Sequence, residues 1–170
     1  MTETQVASLT TTQLSGLSAT QVGNLTTPQA QALTAAQIGS LSVTQLKGLE
    51  ATDLAELTTT QMSQLSAAQV GTFTASQIAA LTETQTAGLS TTQVSGLTVT
   101  QIGALETADL QSLTTTQIAT LSGTQVKGLS ATQIGDLSAT QASALTTTQI
   151  AALTTTQIQE LDRSEEHTSE

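Results

Sequence analysis

Apolar residues fall along this chain at gaps that alternate between three and five. Val6, Leu9, Leu14, Leu17, Val22 and Leu25 open a series that runs on to Leu161. The series belongs to a longer rule. From Thr4 to Arg163 the chain divides without gaps into 20 octads of consensus T-Q-[IVL]-x-x-L-[ST]-x. Numbered from its Thr, the octad has Gln at position 2 in 18 blocks and Ile, Val, Leu or Met at position 3 in 17. Leu stands at position 6 in 19, with Phe73 the exception, and Ser or Thr stands at position 7 in 17.

Both gaps are odd, so a strand would throw the two apolar positions of each octad onto opposite faces. A three-residue gap is helical. One continuous helix fits no better than a strand, because eight residues turn about 800° and the apolar stripe would drift by about 80° per octad. Short helices, one per octad, use every fixed position. With position 7 as N-cap, Thr10-Thr11-Thr12-Gln13 is a capping box, and the flanking Leu9 and Leu14 are a hydrophobic staple. Gly at position 4 or 5 in half the octads (Gly16, Gly23, Gly39 and Gly48 among them) marks where a helix stops or a neighbour comes close. Pro28 falls at N2, inside a first turn, where its missing N–H costs little. A lone octad buries too little apolar surface to offset the entropy of ordering it, so octads must stack and share a core. The pattern predicts an all-α solenoid of very short capped helices over a single array, residues 1–162. A Thr-rich β-solenoid is the alternative, since Thr, Ile and Val favour strands, and disorder comes third.

The exceptions to the consensus are themselves periodic. Position 7 is Glu at Glu50 and Glu106, and position 2 is Asp at Asp53 and Asp109, in the same two cap pairs seven octads apart. The joint swap is what interacting partners would show; a copied block explains it equally well. Ala30, Thr86 and Ala142, the weak members of position 3, keep the same spacing, as do Val43 and Val99. A 56-residue superperiod of seven octads therefore overlies the repeat. It reflects duplication of a seven-block unit or a seven-block turn of a superhelix.

Composition narrows the function classes. Net charge is −10, and Lys47 and Lys127 are the only basic residues before Arg163. Nucleic-acid binding needs clustered Lys and Arg, so nucleic acid is not an expected partner. No apolar run approaches a membrane span, so membrane insertion is not expected. No signal peptide is visible after Met1. With no Cys there is no disulfide framework or thiolate metal site.

Candidate chemistry is thin. The repeats hold no His for acid–base work, no Cys nucleophile, and no phosphate-cradling or nucleophile-elbow motif; their many Ser and Thr lack a base partner. No catalytic, cofactor-binding or metal residue is expected, and the chain reads as not an enzyme. Glu50, Asp53 and Glu56, and Glu106 with Asp109, are clusters of carboxylates, but a good calcium site wants six to eight oxygen ligands. The Gln column could form a ligand-binding ladder, although the cap role already accounts for it. Regular Thr rows could order ice or meet glycans.

Residues 163–170, R-S-E-E-H-T-S-E, carry no octad signal. They resemble the in-frame translation of a common sequencing adapter, AGA-TCG-GAA-GAG-CAC-ACG-TCT-GAA. On that reading His167, Glu165 and Glu166 carry no function and the array continues beyond Asp162. Octads such as Leu145-Thr-Thr-Thr-Gln-Ile-Ala-Ala-Leu153 resemble Thr/Gln/Leu-rich repeats of large bacterial proteins, many of them secreted or at the cell surface. The resemblance covers residues 4–162 and brings no active-site residues with it. It implies a rod-like spacer or adhesin-type segment of a longer extracellular or cell-surface protein, with a protein or glycan partner and further repeats or domains in the parent chain. A Thr- and Gln-faced module for ice or glycan is the alternative.

Overall fold

In the structure, a computed structural model, the backbone of residues 1–167 and the side chains of residues 1–162 are described. The side chains of Glu165, Glu166 and His167, singled out in the tail, lie outside them, as do residues 168–170 altogether. The fold is an all-α solenoid. Twenty helices run from α1 (Glu3–Ala7) to α20 (Thr155–His167), and there is no strand among the described residues, so the β-solenoid is set aside. Helices α1 to α19 span four to six residues each, barely more than one turn.

The local cause is the cap. Thr98, the N-cap of α13 (Val99–Ala104), donates its N–H to Gln101 Oε1 at 2.7 Å and accepts the Gln101 N–H on Oγ1 at 3.2 Å. Satisfying two orphan donors reciprocally lets so short a helix start. The same box opens nearly every helix of the array. In α4 (Thr27–Gln31), Pro28 lies in the first turn and Thr26 N–H donates to Gln29 Oε1. The helix stops two residues after it has closed. The Leu105 N–H reaches back to the Ile102 carbonyl at 3.3 Å, Leu105 is extended at φ −61° and ψ 136°, and the next N-cap, Glu106, is extended too. Two extended residues thus make each corner.

Successive corners coil the chain. Each helix packs on the one three places ahead, as in α3 (Ala19–Gly23) on α6 (Val43–Gly48). Position-3 and position-6 side chains from all sides fill one continuous core, in which Ile38, Leu46, Leu54, Ile78 and Ile102 are wholly buried. Side-chain bonds between turns run at an offset of 28 residues, which is three and a half octads. Helices stack three places apart, so a turn takes about three octads, and seven octads make more than two turns rather than the single turn considered from sequence.

Glycine serves one of its two expected roles. No Gly among the described residues has positive φ, so none is a left-handed helix stop. The need is closeness instead. A Cβ on Gly23 would run into the Gly48 carbonyl, and one on Gly71 would lie 2.7 Å from the Gly96 oxygen. Position 4 of one octad meets position 5 of the octad three ahead, and backbones touch there.

Candidate functional site

The Gln column is the polar spine of the molecule. Beyond its cap bond, each interior Gln turns its amide nitrogen onto the preceding turn. Gln101 Nε2 donates to the Val70 carbonyl at 3.0 Å and the Phe73 carbonyl at 2.8 Å. Gln85 reaches Leu54 and Leu57, both at 2.7 Å, and Gln149 reaches Ile118 and Leu121, also at 2.7 Å. The position-6 carbonyl needs this bond. It sits at the corner, where the helix has ended and no backbone donor follows, and a buried carbonyl left alone there would be costly. One side chain therefore closes a helix start in its own turn and a helix end in the turn before.

This takes most interior members of the column away from the external surface. Gln101 is 3 % exposed and Gln149 is 1 % exposed. The ligand-ladder reading of the glutamines is overturned for the interior turns. Sequence inspection finds the capping role and misses the inter-turn role, although a signal exists. A capping box accepts Glu as readily as Gln, yet position 2 is never Glu here. Only a second job, one that needs an amide donor, explains that exclusion.

The two Glu…Asp blocks behave differently from the rest. Glu50 and Glu106 are N-caps of α7 (Ala51–Ala55) and α14 (Thr107–Ser112), but neither side chain makes a cap bond. The swap therefore does not preserve a reciprocal pair. Asp109 keeps half the box, through a hydrogen bond with the Glu106 backbone. It has no donor to offer the previous turn, where the carbonyls in its register belong to Ile78 and Leu81. An open cleft lies at this place, lined by Leu81, Thr82, Glu83, Thr84, Glu106, Ala108 and Asp109. Asp109 is buried at its inner wall, and its carboxyl is pushed from 3.8 up to about 6. Burial is the main cause, followed by the negative charges of Glu106 and Glu83; the Glu106 backbone bond opposes them.

The earlier acidic group is arranged otherwise. Asp53 is buried, Glu50 is exposed, and Glu56 accepts a bond from Gln31 Nε2 at 2.9 Å. A second shallow cleft runs from Ala19 and Gly23 to Gly48 and Glu50. Among the described residues no three His, Cys, Asp or Glu side chains converge as a metal-binding group. Among the described residues no helix is long and apolar enough to cross a membrane. What remains on the surface is hydroxyl-rich. Thr114, Thr115 and Thr116 are all exposed at one helix start, as are Thr146, Thr147 and Thr148 at another.

A family model for the ALTTAQ repeat matches residues 46–83 and 102–139. Over these two stretches the chain is similar to that repeat family. The second match begins and ends seven octads after the first (102 against 46, 139 against 83), which is the superperiod again. No curated protein and no solved structure matches the chain.

Proposed function

We propose that this chain is a non-catalytic structural segment, a rod-like spacer or adhesin-type interaction module of a larger bacterial surface or secreted protein. One observation carries the reading: the fixed side chains of the octad are consumed in holding the coil together. Positions 3 and 6 fill the core, position 7 caps, and the position-2 amide ties each turn to the one before. A part built this way gains length by adding octads without redesigning any single residue. The acidic, Cys-free composition and the Thr-rich surface suit an exposed location.

The test is a change of length. Deleting residues 46–101 removes one superperiod and leaves the octad frame intact. Small-angle X-ray scattering should show the longest dimension shrinking in proportion to the seven octads lost, with cooperative melting retained. An unchanged particle length, or loss of folding, would sink the spacer reading. The exposed Thr ridges favour glycan as the second possibility. A glycan array and a thermal-hysteresis measurement address it, and binding in either would move the function from spacing to recognition.

A further inference from the structure

The joints on either side of Asp109 are each closed by a donor. One octad before it, Gln101 Nε2 donates to the Phe73 carbonyl at 2.8 Å; one octad after it, Gln117 Nε2 donates to the Leu89 carbonyl at 2.5 Å. Asp109 stands in the same register against Leu81 and has no N–H to give. The Leu81 carbonyl accepts no hydrogen bond among the described residues. Asp109 itself is only 4 % exposed, yet it and Leu81 line one open cleft, so solvent reaches the joint.

Negative charge surrounds the carboxyl and no cation offsets it. Glu83 on α11 (Glu83–Ala87) and Glu106 at the N-cap of α14 line the cleft with it. The next helix of the stack, α17 (Ala131–Gly135), contributes Asp136, whose carbonyl takes a bond from Gln111 Nε2 at 2.6 Å. Helices α10 (Ala75–Ala79), α13 and α15 (Thr115–Thr120) hold no titratable residue, and no Lys or Arg lies between residues 48 and 126. At Asp53, the same substitution seven octads earlier, the place of Glu83 is held by Thr27.

A carboxylic acid has the donor that a carboxylate lacks. A proton taken from solvent puts an O–H on Asp109, and that O–H can donate to the Leu81 carbonyl as a glutamine amide does in the neighbouring joints. Loss of the proton to solvent leaves acceptors facing acceptors. We propose that the Asp109 joint is an acid-closed latch in the coil: protonated, Asp109 ties α14 to the corner at Leu81; ionised, it lets the two turns part there while the glutamine joints on either side stay shut.

The test is amide hydrogen exchange of the full chain, read as protection relative to an unstructured chain at the same pH. The Leu81 and Leu110 amides, bonded to the Ile78 and Glu106 carbonyls, report on the latch; those of Phe73 and Ile102 report on the Gln101 joint. The Asp109 carboxyl titrates at about 6 against an ordinary 3.8. Between those values the closed joint holds a proton that the open one does not, so closing strengthens as pH falls. Protection at Leu81 and Leu110 should rise roughly tenfold from pH 7.5 to pH 5, with far less change at Phe73 and Ile102. Glu83→Gln removes one repelling charge and should move the midpoint of the rise to lower pH. Asp109→Asn keeps a donor and loses the titration, so its protection should be flat over this range. Equal changes at Leu81 and Phe73 would assign the effect to the net charge of the chain and overturn the latch. So would a rise that survives in Asp109→Asn, or parent protection that ignores pH.

Discussion

Two neighbouring joints show how the coil holds. At Gln101 the side chain accepts from the Thr98 N–H and donates to Val70 and Phe73. One octad on, Asp109 has the same place and the same burial, and it keeps only the bond at its own N-cap. The two differ by one methylene and by an amide replaced with a carboxyl. The difference separates the two jobs of position 2: starting a helix needs an acceptor, and joining two turns needs a donor. The carboxyl does the first and, when ionised, opposes the second.

The sharpest way to break this comparison is Gln101→Glu. The capping box survives, but a carboxylate is placed against the Val70 and Phe73 carbonyls in a buried joint. Leaving buried polar groups unpaired costs about 1–3 kcal/mol each, and a buried charge costs more. The expected loss, by urea denaturation at pH 7.5, is about 3–5 kcal/mol, the range for an uncompensated buried charge. The same change at Gln13, whose amide joins no turn, should cost less than about 0.5 kcal/mol, as exposed positions away from special contacts do. Equal losses at the two sites would show that the inter-turn bond contributes nothing.

The converse substitution repairs the weaker joint. The Asp109 carboxyl titrates near 6 in the fold against 3.8 in the unfolded chain. Between those values the folded state binds the extra proton, so stability falls as pH rises through this window and the full penalty stands above about pH 6. A shift of this size corresponds to about 1–3 kcal/mol. Melting temperature should therefore rise as pH drops from 7.5 to 5. Part of that gain comes from relief of the general negative charge, so the variant decides. Asp109→Gln should be more stable than the parent at pH 7.5 and should lose about half of that advantage at pH 5. A constant difference between the two proteins across this range would refute the assignment to Asp109.

How far the sequence led can be read from the same residues. The gap pattern and the S/T-x-x-Q boxes specify the helix starts, because capping is local and its partners lie three residues apart. The core rows at positions 3 and 6 are legible for the same reason. The number of octads per turn is not, since it depends on how corner angles accumulate, and no single octad carries that information. The Gln amide bond spans three and a half octads and hides behind a local role that already accounts for the residue. Glu50 and Glu106 mislead in the other direction: they occupy a cap position, and their side chains do not cap. The candidate cleft needs Glu83 beside Glu106 and Asp109, which only the packing of α11 (Glu83–Ala87) on α14 supplies.

The mildest effects lie at the hydroxyls, where the same contrast between satisfied and unsatisfied groups can be drawn more finely. Thr86 stands in the position-3 core row, fully buried, and its Oγ1 has no hydrogen-bond partner. Val fills nearly the same volume and has no hydroxyl to desolvate. Thr86→Val should therefore stabilise the array by about 1–2 kcal/mol, the range for relieving one buried unsatisfied polar group. Thr92 is an exposed residue in the first turn of α12 (Thr91–Ser95). Thr92→Ser should shift stability by no more than about 0.5 kcal/mol, as surface changes away from special contacts do. Side-by-side thermal melts of the two variants measure both. If Thr86→Val fails to raise the melting temperature above that of Thr92→Ser, the hydroxyl has found a partner, and this octad is as well satisfied as its neighbours.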